Sequence, residues 1–81
     1  MITAQHLRMA RAGLGWTLVD LGERANVNPN TIARYEGGRE GMAGTLRRLE
    51  TALRAAGVVF IEDDAIVGVR LPLIEQNKKQ R

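Results

Sequence analysis

The chain has 81 residues, a net charge of +3 and no cysteine. Its length suits one small domain that buries about 60–65% of the surface its unfolded chain exposes, modest enough that a partner subunit would add stability. The missing cysteines exclude disulfides, thiolate metal sites and cysteine nucleophiles. No apolar run approaches the ~20 residues of a membrane span, and the first residues lack the apolar core of a signal peptide, so a cytoplasmic protein is expected.

The charge is unevenly placed. Residues 1–57 hold eight arginines against five carboxylates, whereas residues 58–81 hold four cations against four carboxylates. The whole positive balance therefore lies in the first part and is carried by arginine, the side chain suited to forked contacts with phosphate and guanine. His6, the single histidine, is the one residue on which metal ligation or general-base chemistry could rest, and it reads as an ordinary surface residue. No metal or cofactor is expected.

In chain order, Thr3 is an N-cap for a first helix with Leu7, Ala10 and Leu14 on one face, ended near residue 12 by Gly13 and Gly15. Thr17 caps a second helix over Leu18 to Ala25, with Asp20 and Glu23 placed to favour its dipole. Asn26 suits the sharp bend that follows, because asparagine tolerates positive φ. Asn28 caps a third helix whose first position is Pro29, with Ile32 and Tyr35 facing inward and Gly37-Gly38 ending it. A glycine-rich loop spans 37–44. A fourth helix is expected from about Thr45 to Ala56, with Leu46, Leu49, Leu53 and Ala56 as its apolar stripe.

The pattern then changes period. VVFIE (58–62), the acidic Asp63-Asp64 and AIVGVRL (65–71) predict a β-hairpin with apolar residues on both faces. One face can pack on the helices. The other invites a second subunit, with Val59, Ile61, Ile66, Val67 and Val69 as the expected dimer contacts. Pro72 stops the second strand, and residues 72–81 are expected to form a flexible tail.

The second and third helices with their tight turn form a helix-turn-helix, an arrangement that lays one helix into the major groove of DNA. The expected fold is mostly α: a four-helix, lambda-repressor-like helix-turn-helix bundle over 1–57, followed by a C-terminal β-hairpin over 58–71.

Gly15-Trp16, Leu21, Ala25, Val27, Pro29, Thr31-Ile32-Ala33-Arg34, Glu36 and Gly38 together resemble the Cro/phage-repressor (XRE-type) helix-turn-helix family. The likeness covers about residues 3–71. TLRRLETALRAAGVVFI is similar to the end of a short subgroup of bacterial regulators in which a hairpin replaces the fifth helix. The resemblance implies a recognition helix at 28–36, with Pro29, Asn30 and Arg34 facing bases. Asn30 would pair with adenine and Arg34 with guanine. Asn28, Thr31, Arg39 and Arg47 would contact phosphate, helped by backbone N–H groups near Met42 to Thr45. It also implies an Arg11–Glu36 pair beneath the recognition helix. The chain departs from the family at Leu18, where a phosphate-touching glutamine is usual, and at Asn26, where glycine is usual.

The expected function is that of a DNA-binding regulator, a repressor acting as a homodimer on a short palindrome. Two rivals use the same fold: an antitoxin that represses its own operon and binds a toxin, and a protein-interaction adaptor that does not touch DNA. Leu18-Val19 either completes the core or forms a partner surface. Arg47, Arg48 and Arg54 also read as an ordinary charged face, with Glu50 and Arg54 as an i, i+4 pair. An enzyme is not expected, for no acid/base pair, nucleophile constellation or phosphate loop occurs, and the Gly13–Gly15 stretch is too short for a dinucleotide fingerprint.

Overall fold

A computed structural model describes residues 2–73; the expected flexible tail lies, from residue 74 onward, outside the described residues. Four helices and a hairpin follow in chain order: α1 (Ala4–Leu14), α2 (Leu18–Ala25), α3 (Pro29–Glu36), α4 (Ala43–Ala55), β1 (Val59–Glu62) and β2 (Val67–Arg70). The mostly helical bundle with a C-terminal hairpin agrees with the expected fold class. No helix among the described residues is long and apolar enough to cross a membrane.

The helix starts follow local chemistry. Thr17 and Asp20 close a reciprocal capping box on α2, Thr17 Oγ1 accepting from the Asp20 N–H at 3.0 Å and Asp20 Oδ2 from the Thr17 N–H at 2.9 Å. Asn28 Oδ1 accepts from the Asn30 N–H at 2.8 Å, and Pro29 opens α3. Asn26 takes the left-handed conformation at φ 59°, as its residue type suggested.

Two boundaries differ from the sequence reading. Helix α1 runs on to Leu14, which is buried, so core packing outweighs the glycine at position 13. Helix α4 begins at Ala43 rather than Thr45, and its N-cap, Met42, makes no side-chain cap bond. The Met42 N–H instead donates to Tyr35 Oη at 3.0 Å, so a tertiary contact sets this start and no local polar signal marks it.

The core joins Leu7, Ala10, Leu14, Leu21, Ile32, Leu49, Leu53 and Val58, drawn from all four helices and the entry to the hairpin. Each fully buried leucine or isoleucine contributes about 1.5–3 kcal/mol of apolar transfer. Trp16 and Leu18 pack on this core half-buried, and the Arg24 guanidinium lies 4.3 Å from the centre of the Trp16 ring. Trp16 thus sits between α1 and α2 as a packing residue.

The antiparallel hairpin pairs Val59 with Arg70, Phe60 with Val69, Ile61 with Gly68 and Glu62 with Val67. Strand β2 lies against α1. Phe60 and Val69 pack on the core of their own chain, and alternation puts Val67 on the same inner face. Val59 and Ile61 therefore share the outer face, while Ile66 stands exposed at the turn. Of the five expected dimer contacts, Val67 and Val69 therefore lie on the inner face and not on the outer one.

His6 corrects the sequence reading. It is 2% exposed, not a surface residue. Its Nδ1 accepts from the Thr3 N–H at 3.1 Å within the α1 capping box, and its Nε2 donates to the Ile61 carbonyl at 2.9 Å. Phe60 meets the imidazole edge-on, with ring centres 5.4 Å apart. The residue is a clasp between the first helix and the hairpin.

Candidate nucleic-acid interface

Helix α3 has an inner and an outer side. Ile32, Tyr35 and Glu36 are buried, whereas Asn30, Ala33 and Arg34 are exposed and Pro29 and Thr31 half-buried. Helical spacing puts Asn30, Ala33 and Arg34 on one outward face. Ala33 belongs to the stretch that carries the family resemblance but is not among the base-facing residues it implies. Its signal there is weak, since an alanine inside a helix usually marks propensity alone. Between two polar side chains, its methyl group gives the face an apolar contact of the kind that meets thymine.

The helix is held from behind by an arginine–carboxylate fork. Arg11 Nε donates to Glu36 Oε2 at 2.6 Å and Arg11 Nη2 to Glu36 Oε1 at 2.9 Å, while Nη1 donates to the Trp16 carbonyl at 2.9 Å. The hydrogen bond to the Glu36 carboxylate raises the Arg11 pKa above its ordinary value despite partial burial. Arg8 donates to the Glu36 backbone carbonyl as well. The pair implied by the family resemblance is thus present, and it ties α1 to the C-terminal turn of α3.

The bend before α3 is equally constrained. A Cβ at Gly22 would lie 2.6 Å from the Val27 carbonyl oxygen and 3.3 Å from Pro29 Cγ, so only glycine lets α2 pass this close to the turn. Gly22 also went unremarked in the sequence. A glycine inside an otherwise helical stretch was the available clue, because it costs about 1 kcal/mol unless packing requires it.

Beside the outer face lies a concavity of about 620 Å³ that gathers Thr31, Arg34, Arg39, Gly41, Met42 and Thr45, with Glu40 at its wall. Met42 and Thr45, on either side of the first residues of α4, line it, and a helix start attracts anions through its free N–H donors and its dipole. Tyr35 shapes the loop: its ring packs so tightly on Gly41 that a Cβ there would come within 1.9 Å of it. Of the four expected phosphate contacts, Thr31 and Arg39 thus converge with Arg34.

The other two lie apart. Asn28 and Pro29 line a separate concavity of about 430 Å³ with Val19, Glu23 and Val27. Arg47 faces a groove between α2 and α4, shared with Arg24 and Arg48. Leu18 is half-buried on the core and Val19 is 53% exposed, so the two residues left open by the sequence have different surroundings. Leu18 completes the core at the position where the family usually carries glutamine.

A capped helix pair with a left-handed asparagine turn, and a second helix with one free polar face, defines a helix-turn-helix protein. Residues 4–60 match the family described as helix-turn-helix domain, and the chain belongs to that family, which is associated with XRE-type regulators. A DNA-binding regulator is the class this membership supports. No curated protein matches the chain.

Proposed function

We propose that this protein is a sequence-specific transcriptional regulator, acting as a repressor in the bacterial cytoplasm and binding a short palindromic operator as a homodimer. One observation carries the reading: the outward face of α3 presents Asn30 and Arg34 next to a concavity where Thr31, Arg39 and the start of α4 converge. Side chains that read base edges then adjoin groups that hold the backbone. Pro29 and Asn30 enter the groove first, Arg34 forks onto guanine, and Thr31, Asn28 and Arg39 set the register. Arg47 contributes to the phosphate grip from α4.

The homodimer uses the outer side of the hairpin. Val59 is 45% exposed and Ile66 58% exposed, and both flank the half-buried Ile61. A two-fold axis through this surface would set two recognition helices about 34 Å apart, one turn of DNA.

In-vitro selection of bound DNA at two salt concentrations tests the proposal. A palindromic consensus whose affinity falls steeply with salt is expected. Enrichment of no sequence at either concentration overturns it.

The exposed Val19, in a concavity with Val27 and Pro29, favours a second reading in which a toxin or another protein partner docks beside the recognition helix. Co-purification with the product of a neighbouring gene, little affected by salt, would support it.

A further inference from the structure

The groove between α2 and α4 lies apart from the DNA contacts that gather around Thr31, Arg34 and Arg39, and of its lining only Arg47 has a part in the proposed phosphate grip. It measures about 470 Å³, is open along its length, and is floored by Ala25, Ala52 and Ala55. Arg24, Arg47 and Arg48 line it and no carboxylate does. Among the described residues the ion pairs are Arg11–Glu36 and Arg54–Glu50, so none of these three guanidiniums is in a salt bridge, although Arg24 stacks on Trp16 and its charge acts on Asp20. Such a groove is too open to enclose a small molecule, since ligand sites bury most of the ligand surface. It fits an acidic segment of a protein, with small residues below and cations along the rim.

The same chain carries such a segment. Glu62 at the end of β1 and Asp63 and Asp64 in the turn that follows are exposed, and none of them has an ion-pair partner among the described residues. Asp63 Oδ1 accepts from the Ala65 and Ile66 N–H groups at 2.7 and 2.9 Å, which holds the turn rigid, and Ile66 beside it is exposed.

We propose that each protomer of the dimer seats this acidic turn in the arginine groove of a second copy. The inference rests on the homodimer reading and deepens it. A two-fold axis perpendicular to the strands runs the two hairpins antiparallel. Each strand is four residues long, about 13 Å at the usual rise. Each turn is then carried to the end of the partner's hairpin where β1 begins at Val59, four residues after α4 ends at Ala55, and the charge of the arginine groove decides where it seats. Opposite charges at an interface steer association and fix its register, and they are screened by salt.

Analytical ultracentrifugation of the full chain tests this with charge reversals. Arg24→Glu with Arg48→Glu alters the groove, and Glu62→Lys with Asp64→Lys alters the turn, leaving the turn-capping Asp63 in place. Circular dichroism melting checks that each variant folds. Either reversal should raise the dimer dissociation constant by about tenfold or more at low salt, and combining the two should restore it. A dissociation constant unchanged by either reversal, or lowered affinity without rescue in the combined protein, overturns the groove contact while the dimer stands. Weaker DNA binding with unaltered dimerisation also overturns it and makes the groove a phosphate contact. A wild-type chain that stays monomeric at hundreds of micromolar overturns the homodimer reading itself.

Discussion

His6 Nε2 donates to the carbonyl oxygen of Ile61 at 2.9 Å, joining two residues 55 positions apart in the chain. Because Nδ1 of the same ring accepts from the Thr3 N–H, the imidazole carries its proton on Nε2, and one neutral tautomer serves both bonds. The histidine caps a helix with one edge and fastens a strand with the other. The hairpin, which offers only a two-stranded sheet, gains from this anchor and from Phe60 and Val69 a hold on the bundle that such a sheet lacks alone.

Replacing His6 with alanine should therefore cost about 1–3 kcal/mol, by leaving the Ile61 carbonyl and the Thr3 N–H short of partners. Chemical denaturation would give the loss, and amide exchange should show faster opening in 59–70 than in α2 or α3. Equal protection in the two regions would mean that the clasp does not secure the hairpin.

The Arg11–Glu36 fork predicts a different signature. The side chains are 24% and 10% exposed, so the loss of either partner is discounted from the cost at a fully buried pair, to about 2–3 kcal/mol. Glu36→Gln should lower both stability and DNA affinity, because the C-terminal turn of α3 loses its brace. Thermal melting and binding titrations on one preparation would check that the two effects occur together.

Asp20 and Asp63 give stability a pH dependence. The Thr17 N–H and hydroxyl hold the Asp20 carboxyl below the usual carboxylate range, and the Ala65 and Ile66 N–H groups do the same for Asp63. A depressed folded pKa stabilises the protein above the unfolded value, near 3.9, and the contribution disappears as pH falls through the folded value. Asp20→Asn and Asp63→Asn should each flatten the decline in melting temperature below about pH 4. A slope identical to that of the unaltered chain would contradict the assignment.

Gly22→Ala tests the close approach in the turn. In an open helix the change would stabilise by up to about 1 kcal/mol. Here the added methyl meets the Val27 carbonyl at 2.6 Å, so a loss of about 1–3 kcal/mol is expected by urea denaturation.

On DNA, Arg34→Ala and Arg39→Ala should separate. The first should cost about 1–3 kcal/mol on the selected site and relax the preference at one base pair. The second should weaken binding to all sequences alike and reduce the slope of log affinity against log salt by about one. Fluorescence anisotropy on matched and mismatched duplexes over a salt series distinguishes them.

Local chemistry alone determined much of this molecule. Thr3, Thr17 and Asn28 as caps, Pro29 as a helix opener and Asn26 at the left-handed bend are decided by bonds within three or four residues, and these were legible. So were the inward faces of the first, third and fourth helices, because helical periodicity sorts Leu7, Leu14, Ile32, Leu49 and Leu53 to one side. The outward set on α3, Pro29, Asn30 and Arg34, came from the family resemblance, and Ala33 was not in it because its residue type carries no chemical signal.

What only the tertiary structure decided depends on groups far apart in the chain. His6 became a buried clasp because the hairpin brings Ile61 to it, and α4 starts at Ala43 because Tyr35 reaches Met42. Gly22 is required because Val27 and Pro29 crowd it, and Val69 turned inward because its register partner Phe60 packs on the core. Arg47 stands apart from Arg34 and Arg39 for the same reason: the packing of α2 on α4 gives it a groove of its own. Caps and periodicity are properties of a few neighbouring residues, whereas burial, register and convergence are set when distant segments share one core.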